Sequence, residues 1–235
     1  MNHPNSANRV RAVVTDIEGT TTRISFVHDV LFPYARTHLA DFLAAHAAEP
    51  EVAAALADIA QRAPNDPPLT TLLHWMDADA KVTPLKTLQG LIWREGYARG
   101  DLRSETYPDV APQLRRWHEA GLSLSVYSSG SEAAQRQLFA NLPDGDLTQL
   151  FSHFFDTRIG AKREPASYRA IATEIALPPD SLLFLSDIAA ELDAAATAGW
   201  QTCQLVRAGD ATEPAADYTV QPQEVAQSAA APCSR

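Results

Sequence analysis

The 235-residue chain carries 29 acidic against 19 basic Lys and Arg side chains, a formal net charge of −10, with 46% apolar and 20% charged residues. That balance suits a globular core and argues against nucleic acid or an anionic membrane as partner, since both are densely negative. Two cysteines, Cys203 and Cys233, form no disulfide framework, the first eleven residues show no apolar leader core, and no apolar run nears a membrane span. A cytoplasmic protein is the expectation.

In chain order, VRAVVT at 10–15 is a short run rich in β-branched residues that stops at Asp16, the pattern of a buried strand feeding a loop. LSLSVY at 122–127 stops at Ser128-Ser129-Gly130-Ser131, and SLLFLS at 181–186 stops at Asp187. Gln201–Val206 predicts a further strand, with another at Tyr218–Val220. Between these runs, Val110, Leu114 and Trp117 share a helical face closed by Gly121. Ser131 is placed to cap a helix through Phe139. Tyr168, Ile171, Ala172 and Ile175 mark the next helix, and 188–198 another, stopped by Gly199. Strands alternating with helices predict an α/β fold with a Rossmann-like parallel sheet, whose ligands sit at the carboxyl ends of the strands.

Residues 30–107 break the alternation. They are rich in Ala and Leu, with helical spacing at 38–62 and 84–99 and a Pro-rich loop at 63–68. The expected organisation is a core of 1–29 with 108–221, a helical cap inserted at 30–107, and a loose tail at 222–235.

Four groups carry chemistry. Asp16 and Glu18 flank one residue before Gly19, so both carboxylates can face one cavity, share a hard cation, and supply a nucleophile toward phosphorus. Ser128 and Ser129 offer hydroxyls and backbone N–H groups at a helix start, an anion site. Lys162 can neutralise a phosphate. Asp187 at a strand end suits a metal, with Glu191 and Asp193 nearby in what is also an ordinary acidic helix start. His28 reads as a packing residue, and Trp93 with Tyr97 reads equally as insert core or as a substrate wall.

Acid pair, hydroxyl cluster, lysine and acid, in that order, resemble the haloacid dehalogenase-like phosphatases over about 10–30 and 108–207. The resemblance narrows with Asp16-Ile-Glu-Gly-Thr-Thr, Leu88-Gln-Gly-Leu-Ile-Trp-Arg-Glu-Gly-Tyr97, Tyr107-Pro-Asp-Val110, Tyr127-Ser-Ser-Gly-Ser131, Phe184-Leu-Ser-Asp-Ile188 and Gln204-Leu-Val-Arg207. These blocks are similar to the enolase-phosphatase, or acireductone synthase, family across roughly 11–209. That resemblance implies enolisation and dephosphorylation of 2,3-diketo-5-methylthiopentyl 1-phosphate in methionine salvage, with one Mg²⁺ per subunit and a small phosphorylated substrate. A monomer is the expectation. The resemblance implies Asp16 as nucleophile, Ser128 and Lys162 as phosphate binders, and Asp187 as a metal ligand. Beside it, the residues themselves suggest Ser129 at the phosphate, Asp16 and Glu18 with Asp187 around the metal, and Glu18 as the candidate acid and base. The competing expectation is a generic phosphatase of a sugar phosphate or phosphoglycolate.

Overall fold

The computed structural model describes residues 10–207, 209, 210, 212, 214 and 215. The expected strand at Tyr218–Val220, the tail at 222–235 and Cys233 lie outside the described residues. The chain divides into two compact units. One runs to Ile24 and resumes at Ser104; the other is Ser25–Arg103.

The first unit is built on a parallel sheet. Its strands are β1 (Ala12–Thr15), β2 (Ser123–Tyr127), β3 (Phe151–Phe155), β4 (Leu182–Ser186) and β5 (Gln201–Gln204), in the order β3-β2-β1-β4-β5. β1 is central and every one of its residues is buried, as expected of a strand covered on both faces. The ladder sets Thr15 beside Val126 on one side and beside Leu185 on the other. The strand order reverses about β1, so the carboxyl ends of β1, β2 and β4 form the crevice where such sheets bind ligands.

Its helices are α5 (Val110–Glu119), α6 (Glu132–Ala140), α7 (Pro165–Ile175) and α8 (Ala189–Thr197), while α1 (Phe32–His46), α2 (Pro50–Arg62), α3 (Pro68–Asp77) and α4 (Thr83–Arg99) belong to the second unit. Ser131 caps α6 with its side chain accepting from Ala134 N, as its place after a strand predicts. Helix α5 buries Val110, Leu114 and Trp117, the stripe predicted from their spacing. Tyr127, Tyr168, Ile171, Phe184, Leu192 and Trp200 pack in one cluster between the sheet and helices α7 and α8.

Two elements differ from expectation. β3 (FSHFF) is a strand that has no β-branched run to announce it; its buried ends and exposed Ser152 suit a sheet edge. The second unit also contains α3, in a stretch without an expected helix, and its first helix begins at Phe32, continuing a π-helical turn at Phe26–Leu31. Within that unit Trp93 is buried, stacks on Phe32 at 6.3 Å and donates from Nε1 to Leu31 O at 2.8 Å, which places it in the helical core. Tyr97 is likewise buried, and His28 is exposed against the Phe32 ring.

Phe184, fully buried in β4 and in ring contact with Tyr127 and Tyr168, is the residue whose truncation should cost most in this cluster. Phe184→Ala is expected to destabilise the protein by about 3–5 kcal/mol, read as a lower urea midpoint at unchanged slope.

Candidate active site

Asp16 leaves the end of β1 with its N–H on Leu185 O at 2.9 Å. The chain then folds into a tight turn in which the N–H groups of Thr20, Thr21 and Thr22 all point to Ile17 O, at 3.1, 2.8 and 2.9 Å. Gly19 sits in that turn at φ +69°, and an added Cβ would lie 2.6 Å from Asp187 Cγ. Only glycine lets the Asp16 turn lie against the Asp187 carboxylate.

Asp187 is held from three directions. Its N–H donates to Thr20 Oγ1 at 3.1 Å, its carbonyl accepts from Gln204 Nε2 at 2.9 Å, and its Oδ2 accepts from Thr212 Oγ1 at 3.2 Å. Its Oδ1 is buried with no hydrogen-bond partner among the described residues. Burial, and then the charge of Asp16, push the Asp187 carboxyl up to about 6. An unpartnered buried carboxylate oxygen beside a second acid is a place for a cation, and the all-oxygen donors suit a hard one such as Mg²⁺.

Lys162 is the cation already in the site. Its Nζ lies 2.7 Å from Asp16 Oδ1 and 2.6 Å from Glu191 Oε2. Burial works against that charge, but the two carboxylates more than offset it and raise the ammonium pKa. Glu191 comes from the first turn of α8 and accepts from Ser186 Oγ at 2.9 Å; burial first, then Asp16, raise its carboxyl. In the sequence Glu191 reads as part of an exposed acidic helix start. Its position four residues after Asp187, on the face that turns back toward β4, was the available signal.

Ser128 is buried one residue past β2, its N–H on Phe155 O at 3.1 Å and its Oγ accepting from Gly130 N at 3.3 Å. Ser129 is exposed in the same turn. Gln135, unforeseen from sequence, braces this turn by donating to both Gly130 O and Phe155 O at 2.8 Å. Arg207 does the same for the Asp16 turn. Its Nε donates to Thr20 O at 2.9 Å, its Nη1 reaches both Asp109 oxygens at 2.8 and 2.9 Å, and its guanidinium lies 4.3 Å from the Tyr107 ring centre.

The structure thus brings Asp16, Lys162 and Asp187 together, with Ser128 at the adjacent strand end. Glu18 lies half-buried in the turn, its backbone bridged to Thr22. Among the described residues, no group of three or more His, Cys, Asp and Glu side chains is arranged to hold a metal. Two carboxylates, a main-chain carbonyl and waters are enough for Mg²⁺, which keeps much of its hydration shell.

The haloacid dehalogenase-like hydrolase family model matches residues 10–199. Enolase-phosphatase E1 of Acidiphilium cryptum is 60% identical over 222 residues, covering 94% of this chain and 96% of that protein. Enolase-phosphatase E1 of Methylococcus capsulatus is 55% identical over 208 residues, covering 86% and 91%. The crystal structure of the UTR4 protein of Saccharomyces cerevisiae superposes with a TM-score of 0.76 at 32% identity, covering 87% of this chain and 93% of that one. The chain belongs to the haloacid dehalogenase-like hydrolases and, within them, to the enolase-phosphatase E1 family.

Gly19→Ala tests the close packing of turn and carboxylate. The positive φ alone costs about 1–2 kcal/mol, a modest fall in thermal midpoint. Turnover is expected to fall about a hundredfold, because a shift near 1 Å in either acid misaligns the site.

Proposed function

We propose that Asp16, Lys162, Ser128, Ser129 and Asp187 perform phosphoryl transfer in this enzyme and that Glu18 moves the protons. The protein is a phosphatase of the hydrolase class, an enolase-phosphatase of methionine salvage. It enolises 2,3-diketo-5-methylthiopentyl 1-phosphate and releases phosphate to give acireductone, 1,2-dihydroxy-3-keto-5-methylthiopentene. The observation that carries the site assignment is the buried Lys162 ammonium on Asp16 Oδ1, at the end of the central strand.

Two donors, Ile17 N at 2.7 Å and Lys162 Nζ, meet at Asp16 Oδ1. Oδ2 is therefore the oxygen that attacks phosphorus in line. As its bond to phosphorus forms, the bond from phosphorus to the substrate oxygen breaks, and Glu18 protonates the departing oxygen. Glu18, now a carboxylate, takes a proton from the water that opens the aspartyl-phosphate and frees Asp16. Lys162, with Ser128 and Ser129, binds the phosphoryl oxygens and neutralises their charge. Glu18 also serves as the base in enolisation, where its extra methylene lengthens its reach relative to aspartate.

Asp16, Asp187 and Glu18, the last through its main-chain carbonyl, would hold one Mg²⁺, which when bound offsets charge on the phosphoryl oxygens. We take residues 1–29 with 108–221 as the phosphohydrolase core and 30–107 as its cap. We place the enzyme in the cytoplasm as a monomer acting on a small phosphorylated substrate, away from nucleic acid and membranes. The sparse cysteines, of which Cys203 is buried, and the net charge of −10 support that reading, and among the described residues no helix is long and apolar enough to cross a membrane.

The test is simultaneous detection of enediol absorbance and phosphate release from the diketone phosphate. Both signals are expected, and phosphate release without enediol would point to a generic phosphatase instead. Asp16→Asn, nearly isosteric but not nucleophilic, is expected to abolish phosphate release while circular dichroism stays native. Millimolar Mg²⁺ should raise the thermal midpoint of the unaltered protein, because it binds the folded state alone; Asp187→Asn should remove most of that rise, and an undiminished shift would reassign the metal.

A further inference from the structure

Lys162 is delivered by a loop, 159–164, that is neither helix nor strand. Three side-chain hydroxyls donate to three successive carbonyls of this loop. Tyr127 Oη reaches Gly160 O at 2.9 Å, Ser167 Oγ reaches Ala161 O at 2.8 Å, and Tyr168 Oη reaches Lys162 O at 2.7 Å. The three donors come from β2 and from the first turn of α7. Gly160 is held at φ +139°, and a Cβ there would run into Ser167 Oγ, so the glycine is what lets the loop close down on α7.

The tyrosines are not adaptable surface donors. Both rings are fully buried, they meet edge to face at 5.6 Å, and Tyr168 packs in the same way on Phe184 at 5.1 Å and Trp200 at 5.6 Å. Burial pushes both phenols up, so each remains a donor through the neutral range. Their hydroxyls can move only if the core moves, and the loop backbone inherits that rigidity.

A lysine head on a four-carbon stem needs this. Asp16 and Glu191 draw the ammonium toward themselves. When a phosphoryl group arrives, the head must re-aim by a small amount while its Cα stays in place. A loop free to slide would let the two carboxylates keep the cation and leave the phosphoryl oxygens short of it.

We propose that Tyr127, Ser167 and Tyr168 are positioning residues for phosphoryl transfer, fixing the main chain of Lys162 so that its ammonium serves both Asp16 and the phosphate. This rests on the assignment of Lys162 as the phosphate-holding cation. None of the three hydroxyls touches the phosphate; each acts through Lys162.

A double-mutant cycle distinguishes positioning from general support of the fold. Tyr168→Phe removes one hydroxyl at constant ring shape. It is made with Lys162 present and in a Lys162→Met background, with kcat/KM for p-nitrophenyl phosphate and Kd for inorganic phosphate measured at saturating Mg²⁺. With Lys162 present, kcat/KM should fall about tenfold and Kd should rise several-fold, while the Lys162→Met background should change by less than about twofold. Equal losses in both backgrounds, or no loss with Lys162 present, overturn the proposal. If Lys162→Met alone alters neither turnover nor phosphate affinity, the assignment of Lys162 itself is wrong and the positioning role falls with it. Ser167→Ala, taken through the same cycle, gives the same readout should Tyr168→Phe fold poorly.

Discussion

Lys162 Nζ stands between Asp16 Oδ1 at 2.7 Å and Glu191 Oε2 at 2.6 Å, a cation shared by two carboxylates with little water around any of them. Burying three charges is expensive unless each is paired and the remaining lone pairs are satisfied. The surroundings meet that demand. Ile17 N binds Asp16, and Ser186 Oγ binds Glu191 while accepting from Ile188 N at 3.1 Å. The pairing leaves one net negative charge on the triad and a second on Asp187 when ionised. That surplus would favour a cation in the crevice. In a chain of net charge −10, the Lys162 ammonium is the group of this triad that favours an incoming phosphate.

The site is a set of turns, and each turn is braced from outside itself. Gln135 bridges the Ser128 turn to β3, Arg207 binds the Asp16 turn to Asp109 at the start of α5, and Gln204 at the end of β5 and Thr212 beyond it hold Asp187. Pre-organisation of this kind matters for phosphoryl transfer, where the protein contributes placement and charge more than covalent chemistry.

Much of this was legible because of where polar residues stop apolar runs. β1, β2 and β4 are each followed directly by a candidate site residue, so the runs 10–15, 122–127 and 181–186 announce both a buried strand and the position of a candidate group. β3 was not legible, since FSHFF has no β-branched residue and occupies a sheet edge, where an exposed Ser152 and a half-buried His153 are tolerated. Glu191 was hidden by a sufficient local explanation: acids at a helix start need no further cause. Only the way α8 turns back on β4 shows the side chain facing Lys162. Thr212 and Gln135 carry no pattern at all, because a single hydroxyl or amide acquires meaning only from its partner across the fold. Glu18 was legible as an acid close to Asp16, but spacing says nothing of how far a turn carries the side chain.

The two ends of the inserted unit leave the core side by side. Thr22 Oγ1 donates to Glu105 O at 3.1 Å, and Tyr107 N donates to Thr21 O at 3.0 Å, just outside Ser25 and Arg103. For the core, everything from Ser25 to Arg103 is one loop whose mouth is already stitched shut. The entropy of closing such a loop grows only with the logarithm of its length. The insert is therefore a cassette, and its length can change with little thermodynamic consequence for the sheet.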